Sequence, residues 1–378
     1  MKHYDYIFTG AGLSALMTVY RMVESGKFED QTILLLDKNP KKTNDRTWCF
    51  WEKGHGHWGQ IVSKVWHVAL FADENSKREL DLQPYCYKMI HGIDFYNFVF
   101  DKISKHPNIS FQNLEITSFS ESDGCVEVRA ETKIFSCGKL FNSIFNPYKL
   151  KSQGKYPLLQ QHFIGWKIKA DDNAFNPEIA TLMDFSVEQQ GNTRFMYVLP
   201  TSKNEALIEY TLFSKNLLSE TEYEEAIADY IQKFGITNYQ IIEKERGSIP
   251  MTTFPFWESN TKNILNIGSA GGWTKASTGY TFKNADKESK RLVEFLHTEE
   301  DFRHFHKNNR FNFYDALLLD ILNEKNEAGS EIFSALFQKG NPALIFKFLD
   351  EETTFFEDLQ VILKCPKRLF IKVLFKRR

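Results

Sequence analysis

Three features that often reveal the class of a protein are missing from this sequence. The 378 residues include 47 Lys and Arg against 49 Asp and Glu, so there is no charge excess that would attract nucleic acid. The five cysteines are odd in number and widely spaced, which excludes a CxxC redox pair and a zinc-ligand pattern and fits a reducing cytosol. We therefore expect neither a nucleic-acid partner nor a metal site.

Long apolar runs are missing as well. Since no stretch of about 18 uninterrupted apolar residues occurs, we expect no membrane-spanning helix, and any membrane contact should be peripheral. The first strand pattern begins almost directly after Met1 and leaves no room for a secretion signal. We therefore expect a chain that is not secreted.

Aromatic residues, by contrast, are abundant, with 34 Phe, 15 Tyr and 7 Trp. They are numerous enough to line an extended apolar tunnel as well as to fill a core. The alternative explanation is the bias of a genome rich in A and T, because Lys, Asn and Ile are also plentiful. Composition alone leaves both explanations open.

The N-terminal region contains the best-defined pattern, a strand, a helix and a second strand within about 35 residues. The sequence Gly10-Ala11-Gly12-Leu13-Ser14-Ala15 lies between the first strand and the helix. In such a motif Gly10 permits a tight turn, Gly12 lets the backbone approach a pyrophosphate, and Ala15 allows close helix packing. The helix N-terminus offers free N–H groups to the phosphates, so we predict a dinucleotide site.

Asp37, at the end of the second strand, restricts the nucleotide. Its carboxylate can accept hydrogen bonds from a ribose and would repel a 2′-phosphate, which disfavours NADP and leaves FAD or NAD. About 250 residues later a second glycine-rich turn, residues 267–273, follows another short strand, and residues 277–280 come after it. A flavoprotein needs such a turn to close over the flavin, so the pattern favours FAD; the alternative is a packing turn.

Taken along the whole chain, the patterns predict a mixed α/β fold. It comprises a Rossmann-like FAD-binding domain, an interleaved antiparallel-sheet substrate domain and a helical C-terminal region. We assign residues 1–80, 95–150 and 260–300 to the first, 81–94 and 151–259 to the second, and 301–378 to the third. Residues 46–100 are expected to lie next to the substrate.

Two polar side chains are candidates for the chemistry. Arg46 lies in the aromatic run Asp45-Arg46-Thr47-Trp48-Cys49-Phe50-Trp51, although most such clusters are packing. Glu209 lies in a strand whose alternation puts it on the face opposite Ile208 and Tyr210. A carboxylate on a sheet face is more often solvated than catalytic, so the residues alone leave both roles open.

The chain resembles the flavin-dependent lycopene cyclases of the bacterial type. The stretches that carry the resemblance span nearly the whole chain in order and are residues 10–15, 45–48, 87–95, 207–214, 247–251, 267–282 and 314–319. The most specific is Ala270-Gly271-Gly272-Trp273-Thr274-Lys275-Ala276-Ser277-Thr278-Gly279-Tyr280. Gly268-Ser269 stands where flavin hydroxylases usually have Gly-Asp, which argues against an ordinary monooxygenase.

The family carries its catalytic acid in a Phe-Leu-Glu-Glu-Thr motif, and the first Glu of that motif corresponds to Glu209 here. The second is replaced by Tyr210, so the resemblance implies one catalytic carboxylate. A run that looks superficially closer to the motif, residues 348–353, lies in the C-terminal helical region. We interpret this run as a solvated helix end.

The resemblance implies an isomerase of carotenoid biosynthesis, a lycopene β-cyclase that closes the linear ends of lycopene to β-ionone rings without net redox change. It also implies reduced FAD as cofactor, NADPH as the reductant, protonated Glu209 as proton donor, and no metal. The implied FAD contacts are Gly10, Gly12, Ala15, Asp37, Arg46, Gly268, Ala270 and Gly279. The alternatives are an FAD-dependent oxidoreductase acting on an isoprenoid, such as a geranylgeranyl reductase or epoxidase, and a carotenoid- or lipid-binding flavoprotein without catalysis.

The C-terminal residues 364–378 combine seven Lys or Arg with six large apolar residues and no acid. Such a segment suits an anchor on anionic lipid, at about 1 kcal/mol per basic residue near the surface. We therefore expect a cytoplasmic protein that binds the inner face of the cytoplasmic membrane peripherally. The alternative is a disordered, solubilising tail.

Overall fold

The computed structural model describes residues 1–377, and of residue 149 only the backbone, so Arg378 of the C-terminal tail lies outside the described residues. In chain order the strands are β1 (Lys2–Thr9), β2 (Ile33–Asp37), β3 (Thr47–Lys53), β4 (Lys64–Trp66), β5 (Val68–Ala72), β6 (Lys77–Asp81), β7 (Tyr85–His91), β8 (Ile109–Asn113), β9 (Ile116–Ser122), β10 (Cys125–Ala130), β11 (Lys133–Asn142), β12 (Leu159–Ala170), β13 (Ile179–Asp184), β14 (Thr193–Pro200), β15 (Glu205–Ser214), β16 (Tyr239–Met251) and β17 (Ile264–Asn266). The helices are α1 (Leu13–Ser25), α2 (Gly92–Ile103), α3 (Pro147–Lys151), α4 (Glu220–Lys233), α5 (Phe282–Phe295), α6 (Arg310–Glu324), α7 (Ala328–Lys339), α8 (Pro342–Leu349), α9 (Phe355–Ile362) and α10 (Lys367–Lys376). The predicted mixed α/β class is confirmed.

The first sheet has seven strands, with β8, β2, β1, β11 and β17 paired in parallel. The antiparallel strands β10 and β9 extend the same edge along the first half of β11. Every residue of β2 is buried, as its run of Ile and Leu predicts for a parallel strand covered on both faces. Helix α1 ends at Gly26, where φ is +64°, and completes the predicted β1-α1-β2 unit.

The second sheet also has seven strands, in the order β16-β12-β15-β14-β13-β5-β6. All its pairings are antiparallel except β13 with β5. One face packs against α4, through Ile164, Met196 and Ile208 on the sheet and Tyr223 and Ile227 on the helix. The opposite face looks toward the small sheet β3-β7-β4 and the C-terminal helices, and it is this face that carries the site.

The small third sheet connects the two large ones. Because side chains alternate along a strand, β3 sends Phe50 into the core of the first sheet and Trp51 into the core of the second. Tyr87 of β7 is likewise buried in the second core. The third sheet thus contributes side chains to the cores of both large sheets.

The predicted domain boundaries do not follow the sheets in two places. Residues 68–81, mostly assigned to the nucleotide domain, form β5 and β6 of the second sheet, because β5 pairs in parallel with β13, which lies far along the chain. Residues 85–91, assigned to the substrate domain, form the centre of the third sheet. The second glycine-rich turn follows β17, as predicted, and forms a 3-10 segment, Gly268–Gly271, while α5 begins at Phe282.

The C-terminal region is helical, as predicted, and packs on the rest of the chain. Helix α10 lies on α6 through Val373, which is buried with Leu317 and Ile321. Within residues 1–377, none of the helices combines the length and the apolar character needed to cross a bilayer.

Candidate functional site

A cavity of about 980 Å³ lies between the first glycine motif and the inner face of the second sheet. The predicted site residues that line it are Gly12, Arg46, Glu209, Gly268 and Gly279. Most of its remaining wall is apolar or aromatic, and includes Trp51, Leu182, Phe195, Leu199, Leu207, Phe213, Phe333, Phe337 and Phe346. The cavity therefore joins a nucleotide-binding end to a long apolar chamber.

Hydrogen bonds to the end of β2 hold the first glycine motif in place. Gly10 has φ +91°, a conformation that favours glycine, and its N–H donates to the carbonyl of Leu36 at 2.7 Å. The Ala11 N–H donates to Asp37 Oδ2 at 2.7 Å, and Lys41 Nζ lies 3.3 Å from the same oxygen. Asp37 therefore fixes the turn through one carboxylate oxygen.

The first turn of α1 is open to the cavity. Gly12 is its N-cap residue and makes no side-chain capping bond, and no other group lies within 4 Å of where a Gly12 side chain would begin. Ala15 is fully buried one turn further along, where it packs against the sheet. Free N–H groups beside open space are what a pyrophosphate needs at a helix N-terminus.

The second glycine turn lies directly on this helix. A side chain at Gly268 would begin 3.0 Å from Ser14 Oγ in the first turn of α1. Ala270 is buried behind the turn, and Gly279 lies beside Gln161 Oε1 on β12. The structure thus brings the two motifs together although they are far apart along the chain.

Unpartnered polar atoms mark the same region as a ligand site. Gln161 Oε1 and Thr278 Oγ1 are buried and have no hydrogen-bond partner among the described residues, and both side chains line the cavity near Gly279. Buried polar groups normally find a partner in the protein or a ligand. The open Gly12 turn and these unsatisfied atoms fit a bound FAD.

Arg46 lies at the rim of the cavity. Its side chain is exposed and forms no ion pair with a described residue, while its backbone carbonyl accepts a hydrogen bond from Gly92 at 2.7 Å. A cation in this position is free to meet an anionic group at the cavity mouth. Its contact with FAD stays a prediction, as does that of each other predicted contact residue.

Glu209 faces the cavity and is only 7% exposed. In the second sheet it lies opposite Tyr197 on β14 and opposite Gly165 on β12. The next strand places Glu245 opposite the other side of Gly165. A row across four strands therefore reads Tyr197, Glu209, Gly165, Glu245, with glycine between the two acids.

The two acids interact over this glycine. Burial, a hydrogen bond with Glu245 and the charge of Glu245 together raise the pKa of Glu209 well above its usual value. Glu245 Oε2 also accepts a hydrogen bond from Thr47 Oγ1 at 3.0 Å. A carboxyl group placed in this way favours its protonated form and can act as an acid.

Three tyrosine hydroxyls meet beside the carboxyl pair. Tyr87 Oη lies 2.7 Å from Tyr197 Oη and 3.1 Å from Tyr280 Oη. Burial raises the pKa of Tyr87 well above 10.0, so its hydroxyl stays protonated. The thiol of Cys49 contacts the hydroxyls of Tyr197 and Tyr87. The polar end of the chamber is therefore neutral apart from the acids, and its walls are aromatic.

A buried ion cluster ties the most specific sequence motif to the C-terminal helices. Lys275 Nζ lies 3.0 Å from Asp315 Oδ2 on α6 and 2.7 Å from Glu351 Oε1 just after α8. Lys275 is 5% exposed; burial lowers its pKa, but the two carboxylates outweigh burial and the pKa is raised. The cluster therefore fixes the loop that carries Gly279.

The interpretation of residues 348–353 as a solvated helix end is wrong. The segment does follow the end of α8, but Asp350 is only 4% exposed, and burial raises its pKa to about 6. Glu351 is the partner of Lys275. The error arose because the local pattern is charged, while the partners that bury it come from residues far along the chain.

Several site residues were not identified from the sequence. Glu245 lies two residues before the stretch 247–251 that carries the resemblance, but a carboxylate on a polar edge strand carries no local signal. Gly165, Gln161, Tyr87 and Tyr197 are brought to the site by strand register, which periodicity does not determine. Within the described part of the chain, no group of three or more His, Cys, Asp or Glu is arranged to hold a metal.

Comparison with known proteins identifies a matching family, a relative of similar sequence and solved structures of similar fold. A family model described as lycopene cyclase protein matches residues 5–374. A lycopene beta-cyclase from Pantoea ananas is 25% identical over 304 residues, which cover 77% of this chain and 74% of that protein. Among solved structures, a geranylgeranyl bacteriochlorophyll reductase-like protein from Thermoplasma acidophilum has a TM-score of 0.63 at 12% identity and covers 99% of both chains. A flavoprotein/dehydrogenase from Cytophaga hutchinsonii has a TM-score of 0.63 at 11% identity over 100% of both. At these identities the two structures support the predicted Rossmann-like fold alone.

Proposed function

The chain belongs to the lycopene cyclase protein family, and from this premise we propose that it cyclises the linear ends of lycopene to β-ionone rings, as a flavin-dependent isomerase of carotenoid biosynthesis. The observation that carries the proposal is the place of Glu209, a carboxyl group with a raised pKa inside an apolar chamber that also reaches the glycine turns. The chamber suits the end of a long hydrocarbon and excludes water from it.

The proposed reaction is a proton-driven ring closure. The O–H bond of Glu209 breaks as a C–H bond forms at the terminal double bond of the substrate, and the neighbouring double bond then closes the ring. The adjacent ring carbon then loses a proton, and the electron pair of the broken C–H bond forms the new C=C bond. The net reaction consumes neither protons nor electrons, so an acid, a dry pocket and stabilisation of positive charge are sufficient.

The chamber walls suit the cationic stage of this reaction. Faces of tyrosine, tryptophan and phenylalanine attract a cation, each contributing up to about 2 kcal/mol when water is excluded. Tyr197 and Tyr280 lie within this wall beside Glu209, and Trp51 packs edge-on against Tyr280. The hydroxyl and indole groups of these residues are uncharged. The cationic substrate therefore meets no nucleophilic anion other than the two acids.

We propose FAD as the cofactor, held by Gly10, Gly12, Ala15 and Asp37 at one end and by Gly268, Ala270 and Gly279 at the other. When bound, reduced FAD would supply negative charge beside the developing cation. NADPH is proposed only as the reductant of the flavin. Arg46, at the cavity rim, is proposed to meet an anionic part of the cofactor.

The test of this function is a count of product against reductant. Purified protein with FAD is incubated anaerobically with lycopene in liposomes, with ample or limiting NADPH, and the pigments are separated and quantified. We expect ring formation to exceed the NADPH consumed many times over. Product formed one-for-one with NADPH would instead make the chain a flavin oxidoreductase acting on an isoprenoid, and flavin binding with no product would make it a carotenoid-binding protein.

We also propose that the protein acts at the inner face of the cytoplasmic membrane. Helices α9 and α10 expose large apolar side chains, which are Phe355, Phe356, Leu359, Leu363, Ile371, Leu374 and Phe375. Four exposed cations accompany them without an ion pair to any described residue: Lys364, Lys367, Arg368 and Lys372. This combination suits an anionic bilayer surface and lets a membrane-dissolved substrate reach the protein.

Contacts within the protein leave only some of the tail residues available to contact a membrane. Val373 is buried against α6, and Leu369 and Phe370 pack on the same cluster, so they support the fold. Lys376 is paired with Glu324 and Arg377 with Asp320. Deleting the whole tail would therefore expose a core, and point substitutions are the better test.

The membrane test uses Phe356→Ser with Phe375→Ser, side chains that are 76% and 71% exposed. Because burial of a phenylalanine contributes about 1.5–3 kcal/mol, we expect at least about tenfold weaker sedimentation with phosphatidylglycerol vesicles. Tyr148→Ser, at a side chain 80% exposed, is the matched control and should sediment like the wild type. Equal sedimentation of all three proteins would refute the membrane surface.

A further inference from the structure

Gly165 lets two glutamate side chains meet across a strand that lies between them. A side chain at residue 165 would begin 2.7 Å from Glu209 Cγ and 3.2 Å from Glu245 Cγ, closer than such atoms normally approach. Both acids extend over β12 from opposite neighbours, because each is paired with Gly165 in the sheet register. Any other residue at this position would push at least one acid away.

The environments of the two acids differ, and the difference indicates that Glu209 carries the proton that the pair shares. Glu209 is buried among apolar side chains, while Glu245 is half-buried on the edge strand β16. The hydroxyl of Thr47 donates a hydrogen bond to Glu245 Oε2 at 3.0 Å, so this carboxyl group is held from the side away from the chamber. Two adjacent carboxylates resist ionising together, so one proton is retained by the pair.

The groups that surround the pair do not neutralise it. On the cavity side it faces Cys49, Tyr87, Tyr197 and Tyr280, all with pKa values raised by burial and therefore uncharged. On the outer side a small cavity beside Glu245 is lined by His91, Lys167 and Glu243. Within residues 1–377, neither acid forms an ion pair with a basic side chain. The negative charge of Glu245 therefore acts mainly on Glu209.

We infer that Glu245 is a positioning residue for the proposed cyclisation, which shares one proton with Glu209 across Gly165 and keeps Glu209 in its acid form. The inference rests on the proposed function of Glu209 and adds the group that acts through it. When Glu209 gives its proton to the substrate, two carboxylates are left side by side. The proton released from the ring carbon then returns to a carboxylate oxygen of the pair, so the acid is restored without an external proton.

Infrared titration of the purified protein without substrate tests the inference directly. The C=O stretch of a protonated carboxyl group is followed from about pH 5 to about pH 10, and Glu209→Gln identifies the band that belongs to Glu209. In Glu245→Gln the charge is lost and the amide can donate to ionised Glu209. We therefore expect Glu209 to lose its proton at a pH at least about one unit lower than in the wild type.

Two variants on β16 control for structure and charge. Glu243→Gln removes a carboxylate two residues away, at an exposed position, and should leave the midpoint unchanged. Glu245→Asp keeps the charge and should return the midpoint toward that of the wild type. A midpoint in Glu245→Gln equal to that of Glu243→Gln would overturn the inference.

Activity gives an independent readout. In Glu245→Gln the alkaline limb of the rate profile should move to lower pH, so that turnover above the new midpoint falls about tenfold per pH unit while turnover well below it is retained. A uniform loss at every pH would indicate a merely structural role and would contradict the inference. If the chain forms no rings at all, the proposed function fails, while the infrared shift still decides whether the carboxyl pair exists.

Discussion

Glu209→Gln should reduce ring formation by about a hundredfold to ten-thousandfold, the range over which a single general acid contributes. Glutamine has nearly the same shape as glutamate but cannot donate a proton to carbon. The substitution lies on the inner face of the second sheet and leaves both glycine turns unchanged, so FAD should bind as in the wild type. Turnover is measured from the ring-containing pigments, and FAD content from the flavin absorbance of the purified protein.

Glu205→Gln is the matched control, because Glu205 lies on the same strand and the same face but at its partly exposed end, 3.7 Å from Lys169. Its turnover should remain close to that of the wild type. A Glu209→Gln protein that closes rings at the wild-type rate would remove Glu209 from the mechanism and, with it, the role given to Glu245.

Asp315→Ala should lower the free energy of unfolding by about 3 kcal/mol, because it leaves the buried ammonium of Lys275 with only one of its two carboxylates. Asp315 also accepts a hydrogen bond from Ser277, which lies in the same loop. The loss should appear as a lower urea midpoint. Since the loop ends in Gly279 and Tyr280, FAD should also be released at lower urea concentration than in the wild type.

Asp320→Ala provides the comparison on the same helix. Asp320 pairs with Arg377 near the surface, and an exposed ion pair of this kind contributes at most about 1 kcal/mol. If Asp315→Ala lowered the free energy of unfolding no more than Asp320→Ala does, the cluster around Lys275 would not stabilise the loop more than an exposed ion pair would.

Much of the fold could be predicted because its signals are local. The strand, helix and strand at residues 2–37 follow from hydrophobic period, and the helix α4 carries both its capping box at Ser219 and Glu222 and its amphipathic pattern. The turn at Asp123-Gly124 is equally local, with φ of +50° and +77° at residue types that tolerate this conformation. Each of these features is determined by residues close in sequence.

The candidate site could be predicted only in part, because its features depend on register and on distant partners. Alternation placed Glu209 on the face opposite Ile208, but it could not reveal that Gly165 separates it from Glu245. The predicted boundary near residue 80 does not coincide with the edge of a sheet, because β5 pairs with β13, far along the chain. Register and long-range pairing are set by the whole sheet, and no window of sequence contains them.

The order of the strands has a consequence for how the molecule is made. Strand β17 joins the first sheet beside β11, yet all of β12 to β16 lie between them in the chain, and the second sheet in turn takes β5 and β6 from before β11. Neither sheet can be completed during synthesis before the ribosome has produced most of the other. Long loops must therefore close late, and we expect nascent chains that stop before β12 to remain incompletely folded, because β5 and β6 still lack the rest of their sheet.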